Sequence, residues 1–308
     1  MRGLESLCFD MLSFVRFLYF VIFRYKGFHN PFKKKYSGTI AVLANGPSLN
    51  EILPHLEKNE EFENIDFCVV NYFAFSDCFI KIKPKHYCLM DGIFFRPILG
   101  DHEQNKIREL FSVLQNSVDW QLNLYIPKIQ YCNFLEYSRI TNSNISIIKM
   151  NCSPFNIYNK NLKSVVNYLY AKGLAIPAVK NVSIVAIYVS INSGYKNILL
   201  YGVDHTFMTM LVVDENNRLF FKSNHFYPEQ KQLIPKIKSG IWLKVSEELS
   251  DLAGAFKSHE MLADFANSRK INVINCTQNS MIDSYKRIPQ DEIPYDIENI
   301  LGKYLKWQ

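Results

Sequence analysis

Thr39-Ile40-Ala41-Val42-Leu43-Ala44-Asn45-Gly46-Pro47-Ser48 is the stretch on which the reading of the chain turns. Its first six residues form a short run, apolar after Thr39, of the kind found in a strand buried on both faces. Asn45-Gly46-Pro47-Ser48 then turns into a helical pattern. Ser48-Leu49-Asn50-Glu51 has the form of a capping box, so a helix is expected to begin at Ser48. A strand that ends in a Gly-containing turn and opens a helix leaves backbone N–H groups where an anion can sit. The carboxyl end of such a strand is also the usual ligand crevice of an open α/β sheet. The turn is therefore expected to hold the phosphate of a nucleotide-linked donor. No Gly-Lys-Ser/Thr follows it and no Gly-x-Gly-x-x-Gly is present, which argues against a Walker-type ATPase and a dinucleotide-dependent dehydrogenase.

Outward from this turn, strand and helix patterns alternate. Strands are expected over 65–71, 86–91, 122–126, 196–201 and 271–275, and helices over 101–118, 161–172, 179–193 and 242–269. Gly194 reads as a helix C-cap, and a hairpin is expected over 208–221 around Asp214–Asn217. The tail places Ile297, Ile300, Leu301, Tyr304 and Leu305 on one helical face, suited to packing on the core or to joining the N-terminal segment at a membrane. The expected fold is α/β: a Rossmann-like, mostly parallel sheet with helices on both faces. It occupies residues 37–286, between an amphipathic segment (1–36) and a C-terminal amphipathic helix (287–308). Residues 130–160 are rich in Asn, Ser and Tyr without a clear period. A small lid is expected there, within 205–240, or in both.

The chain has 308 residues, 48% of them hydrophobic and 14% aromatic, enough for one large core. Its net charge of +6 is uneven: residues 1–35 hold seven basic residues against Glu5 and Asp10. A nucleic-acid binder would carry its basic surplus on the folded body, so no nucleic-acid partner is expected. The longest uncharged run in the N-terminal segment, Phe17–Phe23, has seven residues, whereas a spanning helix needs about 20. That segment is read as a helix lying in the membrane interface, with Lys33, Lys34 and Lys35 attracted to anionic lipid. The alternative is a helix packed on the protein's own body or on a partner subunit. The interfacial reading places the protein peripherally on the cytoplasmic face of a membrane. Seven scattered cysteines without a Cys-x-x-Cys pair read as free thiols in a reducing compartment. Nothing in the sequence sets an oligomeric state.

Three expected strands end in residues suited to ligand contact: Asn45, Gly46, Pro47 and Ser48 after the first, Asn71 after the second, Asp91 after the third. Parallel strands would bring them to one crevice. In this order they resemble bacterial sialyltransferases of glycosyltransferase family 42 and related sialyltransferase-like proteins of surface-polysaccharide clusters. Leu43-Ala44-Asn45-Gly46-Pro47-Ser48-Leu49 is similar to the family's opening motif. Asn71 and Asp91 fall where the family has Asn residues, at the end of its second strand and in donor contact respectively. Asn181-Val182-Ser183 falls at its short donor-contacting motif. The segment Gly194 to Asp204 is similar to its Gly-Tyr-Lys…Gly-Ile-Asp segment, and Asn224-His225-Phe226-Tyr227 lies near its histidine-bearing loop.

The resemblance implies an inverting, metal-independent transfer of a sugar from a CMP-activated donor to a lipid-linked or surface glycan, with no bound cofactor. The chain departs from the family where His205-Thr206-Phe207 follows Asp204 and where only His225 of the histidine loop is present. The acceptor hydroxyl must lose a proton, work suited to histidine. His225 is the first candidate base and His205 the second, with Asp204 orienting His205 or binding a ribose hydroxyl. Asn45, Gly46, Pro47, Ser48, Asn71, Asp91, Asn181 and Ser183 are the expected donor-binding set, and no metal ligands are expected. A UDP-sugar-dependent glycosyltransferase, a diphosphokinase-like enzyme using ATP and magnesium, and a non-catalytic scaffold of polysaccharide assembly are the alternatives.

Overall fold

The computed structural model describes residues 2–19, 22–23, 30–32, 35–56, 62, 64–97, 101–156, 162–222, 233–289 and 292–304. Helix α1 (Arg2–Tyr19) comes first. Strand β1 (Thr39–Leu43) leads into α2 (Leu49–Leu56). Then follow β2 (Asp66–Val70), α3 (Phe79–Ile82), β3 (His86–Cys88), α4 (Asp101–Ser117), β4 (Leu122–Pro127), α5 (Tyr131–Ser138) and β5 (Ile145–Met150). Helices α6 (Lys163–Ala171) and α7 (Val182–Ser193) precede β6 (Asn197–Tyr201). Five short strands come next: β7 (Leu211–Val213), β8 (Leu219–Lys222), β9 (Leu233–Pro235), β10 (Ile237–Lys238) and β11 (Ile241–Trp242). Helix α8 (Val245–Ser268), strands β12 (Asn272–Asn275) and β13 (Lys286–Arg287), and helix α9 (Ile297–Tyr304) complete the described chain.

Eight strands form one sheet in the order β13-β12-β6-β1-β2-β3-β4-β5. Every pairing in it is parallel. Strand residues alternate between two cores. Ala41, Leu43, Phe67, Val69 and Tyr201 join α2, α4, α5 and α9 on one face. Ile40, Val42, Cys68, Val70 and Leu200 join α6, α7 and α8 on the other. The chain steps outward from β1 to β5 on one side, then crosses back through α6 and α7 to place β6 on the other side of β1. Sheet order therefore reverses between β1 and β6, the topological switch point at which open α/β sheets bind ligands.

Helix α7 is apolar all round and buried from Ser183 to Ser193, as expected of a helix enclosed by a core. Two of its internal polar groups bond within the helix, Ser190 Oγ donating to Ala186 O and Asn192 Nδ2 to Tyr188 O, whereas Ser183 Oγ is buried with no partner among the described residues. It ends at Gly194, whose φ of 112° lies in the left-handed region. Helix α9 packs on the core, burying Ile297 and Ile300 beside α2.

Residues 130–160 do not form a lid in their described part. They hold α5 and the edge strand β5, which pairs with β4 from Leu122–Ile145 to Pro127–Met150. The asparagines of this region build its turn. Asn142 Nδ2 donates to the carbonyls of Gln115 and Val118, and Asn144 Nδ2 donates to that of Val118. Polar composition here reflects a turn and an edge strand with one open side, not a mobile loop. The second expected range, 205–240, does leave the main sheet: β7, β8 and β9 form an antiparallel sheet.

No described helix is long and apolar enough to cross a membrane. Helix α1 docks through buried Phe17, whose ring lies 4.8 Å from that of Phe155. Met11, Leu12 and Val15 of the same helix remain exposed. Lys33 and Lys34 lie outside the described residues. Cys68, Cys78, Cys88, Cys132, Cys152 and Cys276 are free thiols.

Candidate functional site

The sheet's carboxyl edge holds a cavity of about 290 Å³. Its walls come from the ends of β1, β2, β3 and β6, the start of α7, and the Phe207–Met210 turn that leads into β7. Eight of the eleven residues expected from the sequence line it: Asn45, Gly46 and Pro47 beyond β1, Asn71 beyond β2, Asp91 beyond β3, Asn181 at α7, and Asp204 and His205 beyond β6. Of the other three, two do not line it. Ser183 is buried within α7. Ser48 lies against Asp204, and His225 falls in 223–232, outside the described residues.

In the turn after β1, the donors of Gly46 and Ser48 are already engaged within the protein. Gly46 N–H donates to Gly202 O at 2.8 Å. Ser48 N–H donates to Asp204 Oδ1 at 3.2 Å, and Ser48 Oγ donates to Asp204 Oδ2 at 2.8 Å. The anion at the N-terminus of α2 is thus the protein's own carboxylate. The expected capping box does not form, since the Ser48 hydroxyl faces Asp204 and Glu51 N–H bonds the Ser48 carbonyl, not its side chain. Gly46 is required by this closeness. A Cβ there would lie 1.8 Å from Asp204 Oδ2 and 2.5 Å from Gly202 O. Burial raises the pKa of Asp204, and the hydrogen bonds from Ser48 act in the opposite direction.

The β2 and β3 ends supply acceptors. Asn71 adopts a left-handed backbone (φ 48°), which Asn tolerates better than most residues. The oxygens Asn45 Oδ1 and Asn71 Oδ1 are buried with no partner among the described residues. A buried acceptor left unpaired costs about 1–3 kcal/mol, so a ligand's hydroxyl or amino hydrogens would gain by reaching them. Asp91 accepts from Ile93 N–H at 3.2 Å and stands at the exposed rim. Asn181 caps α7, its Oδ1 accepting from Ser183 N–H at 2.8 Å.

His205 is 4% exposed and also has a left-handed backbone (φ 54°). Its Nε2 lies 3.1 Å from Nε2 of His259 on α8, and His259 Nδ1 lies 3.0 Å from Tyr285 Oη. Burial lowers the His205 pKa to about 4. Burial, then the neighbouring His205, holds His259 well below its usual range. Both rings are neutral at pH 7. A neutral His205 with so low a pKa is a weak base near neutrality.

No protein-family model and no curated protein matches this chain.

The sequence reading missed His259, Tyr285, Lys180 and Phe207. His259 falls on the buried stripe of α8 with Ala255, Leu262 and Ala266, so a histidine among apolar helix positions was the available signal. Lys180 lines the cavity and pairs with Asp251 at 2.6 Å. Among the described residues no group of three or more His, Cys, Asp or Glu side chains comes together as metal ligands. The cavity combines amide and carboxylate acceptors, one lysine and a neutral histidine, groups able to bind a hydroxylated ligand and to hold or pass a proton.

Proposed function

We propose that this cavity binds a nucleotide-linked sugar, and that the protein is an inverting, metal-independent glycosyltransferase of the sialyltransferase-like kind. One observation carries the reading: residues chosen from separate strand ends along 160 positions line a single cavity at the switch point of the sheet. Asn45 and Asn71 offer acceptors to ribose, sugar or base donors. Asp204, its pKa raised by burial and its orientation held by Ser48, is the proton acceptor in this reading; Asp91, the other carboxylate of the cavity, stands at its exposed rim. His225 is the competing base, assigned by resemblance.

The acceptor in this reading is a lipid-linked or surface glycan. Helix α1 supports it. Its exposed Met11, Leu12 and Val15 suit the apolar side of an interface. Phe17 docks it on Phe155, whose N–H donates to Ile176 O. Next to Phe155, Asn156 Oδ1 accepts from Ala178 N–H, beside the cavity residues Val179 and Lys180. A membrane-bound acceptor would then meet the site close to the surface. Thermal denaturation with CMP, UDP and ATP, each with and without EDTA, tests the proposal. Stabilisation by CMP regardless of EDTA is expected; stabilisation by ATP with magnesium alone would overturn it.

A further inference from the structure

The pair His205–His259 faces nitrogen to nitrogen. Two Nε2 atoms 3.1 Å apart can share one proton, so one ring donates and the other accepts. Two protons between them would repel, and none would leave two lone pairs opposed. The direction of this bond is set one step further away, at Tyr285.

Tyr285 is buried, and His259 Nδ1 is the only partner of its hydroxyl among the described residues. If Nδ1 carried the proton and donated to Oη, the phenol hydrogen would be left buried without an acceptor, a costly arrangement. Tyr285 therefore donates to His259 Nδ1. His259 must then carry its proton on Nε2 and donate it to His205 Nε2. A neutral His205 whose Nε2 accepts has its own proton on Nδ1. Among the described residues Nδ1 of His205 has no protein partner, and His205 lines the cavity.

We propose that Tyr285 and His259 are positioning residues that fix His205 as its Nδ1–H tautomer, so that His205 donates a hydrogen bond to an anionic oxygen of the ligand and does not act as the base. That the oxygen belongs to a nucleotide phosphate rests on the function proposed above; the tautomer does not. The assignment also supplies what the turn after β1 lacks. With Asp204 occupying the N-terminus of α2, an anion needs a donor elsewhere in the cavity. A fixed N–H held by a buried chain gives that donor with little reorganisation.

The test is nitrogen NMR on the full chain labelled with [15N]histidine, the His205 signals being assigned by their loss in His205→Gln. The expected spectrum shows His205 with a protonated Nδ1 and an unprotonated Nε2, and His259 with the reverse pattern. Addition of inorganic phosphate or CMP is expected to shift the His205 Nδ1–H resonance. Tyr285→Phe, which keeps the ring and removes the donated hydrogen, is expected to move His205 Nδ1 toward the unprotonated value. An unprotonated Nδ1 in the wild type, a tautomer unchanged by Tyr285→Phe, or a resonance moved by neither phosphate nor CMP would overturn the proposal. Stabilisation by CMP in the thermal assay reads the proposed function separately. A protein that binds CMP without moving Nδ1–H keeps that function and loses this inference.

Discussion

Replacing Gly46 by alanine puts a methyl group where three atoms already stand. It would lie 1.8 Å from Asp204 Oδ2, 2.6 Å from Asp204 Cγ and 2.5 Å from Gly202 O. Gly202 O is backbone and accepts the Gly46 N–H itself, so it yields little. The Asp204 side chain must leave, and its two hydrogen bonds from Ser48 are lost. Hydrogen bonds to charged groups contribute about 1.5–3 kcal/mol each. The pair is only part-buried, so a joint loss of about 2–4 kcal/mol is expected, to which the helix-terminus interaction of α2 adds about 0.3–1 kcal/mol. Urea denaturation with a constant m-value reads this loss directly. A double-mutant cycle with Asp204→Ala isolates its origin, since in that background the methyl meets one obstacle and not two. The two changes are expected to couple by at least about 1 kcal/mol. A Gly46→Ala protein within about 0.5 kcal/mol of wild type, with additive effects, would refute the reasoning.

Three further outcomes are expected. Burial lowers the pKa of His86 to about 3 and of His205 to about 4, and holds His259 well below its usual range. The unfolded chain takes up these protons below pH 6.5 while the native state does not. Stability is therefore full above that value and falls as pH drops toward the native pKa values, by about 3 kcal/mol between pH 7.5 and 5.5 for His86 and His205 together, with His259 acting in the same direction; urea midpoints across that range check it, and a flat profile contradicts it. Removal of residues 1–35 is expected to release the protein from liposomes containing anionic lipid, read by co-sedimentation, and unchanged sedimentation would remove α1 from the membrane. Asp204→Asn is expected to lower glycosyl transfer by at least about 100-fold, in line with loss of a general base, whereas His225→Ala is expected to retain transfer; the opposite pattern in a transfer assay would return the base to His225.

The central strands were legible because parallel strands buried on both faces read as continuous apolar runs: Ile40 to Ala44, Phe67 to Val70 and Ile198 to Tyr201 are buried throughout. The shared crevice followed, since parallel strands present their carboxyl ends together. Strand β5 was not legible, because an edge strand with the exposure pattern of Ile145–Met150 lacks that signature, and Asn142 and Asn144 made its turn look like a loop. The capping box at Ser48 failed for another reason. Its hydroxyl is taken by Asp204, 156 positions away in the chain, a partner no local pattern contains. Gly46 lines the cavity, and its missing Cβ also admits the Asp204 carboxylate, a neighbour that no local pattern contains. The His205–His259–Tyr285 chain joins three segments far apart in sequence, and only folding brings them into line.

The claim that the carboxyl-edge cavity binds a nucleotide is tested most directly by calorimetric titration of CMP, with EDTA present, against the wild type, Asn45→Ala and Asn71→Gly. Glycine at position 71 accommodates the left-handed backbone and removes the side-chain amide with its unpartnered acceptor Oδ1. Binding to the wild type is expected, weakened about 2–10-fold by each variant as one hydrogen bond is lost. No CMP binding to the wild type, or equal affinity in all three proteins, would contradict the account.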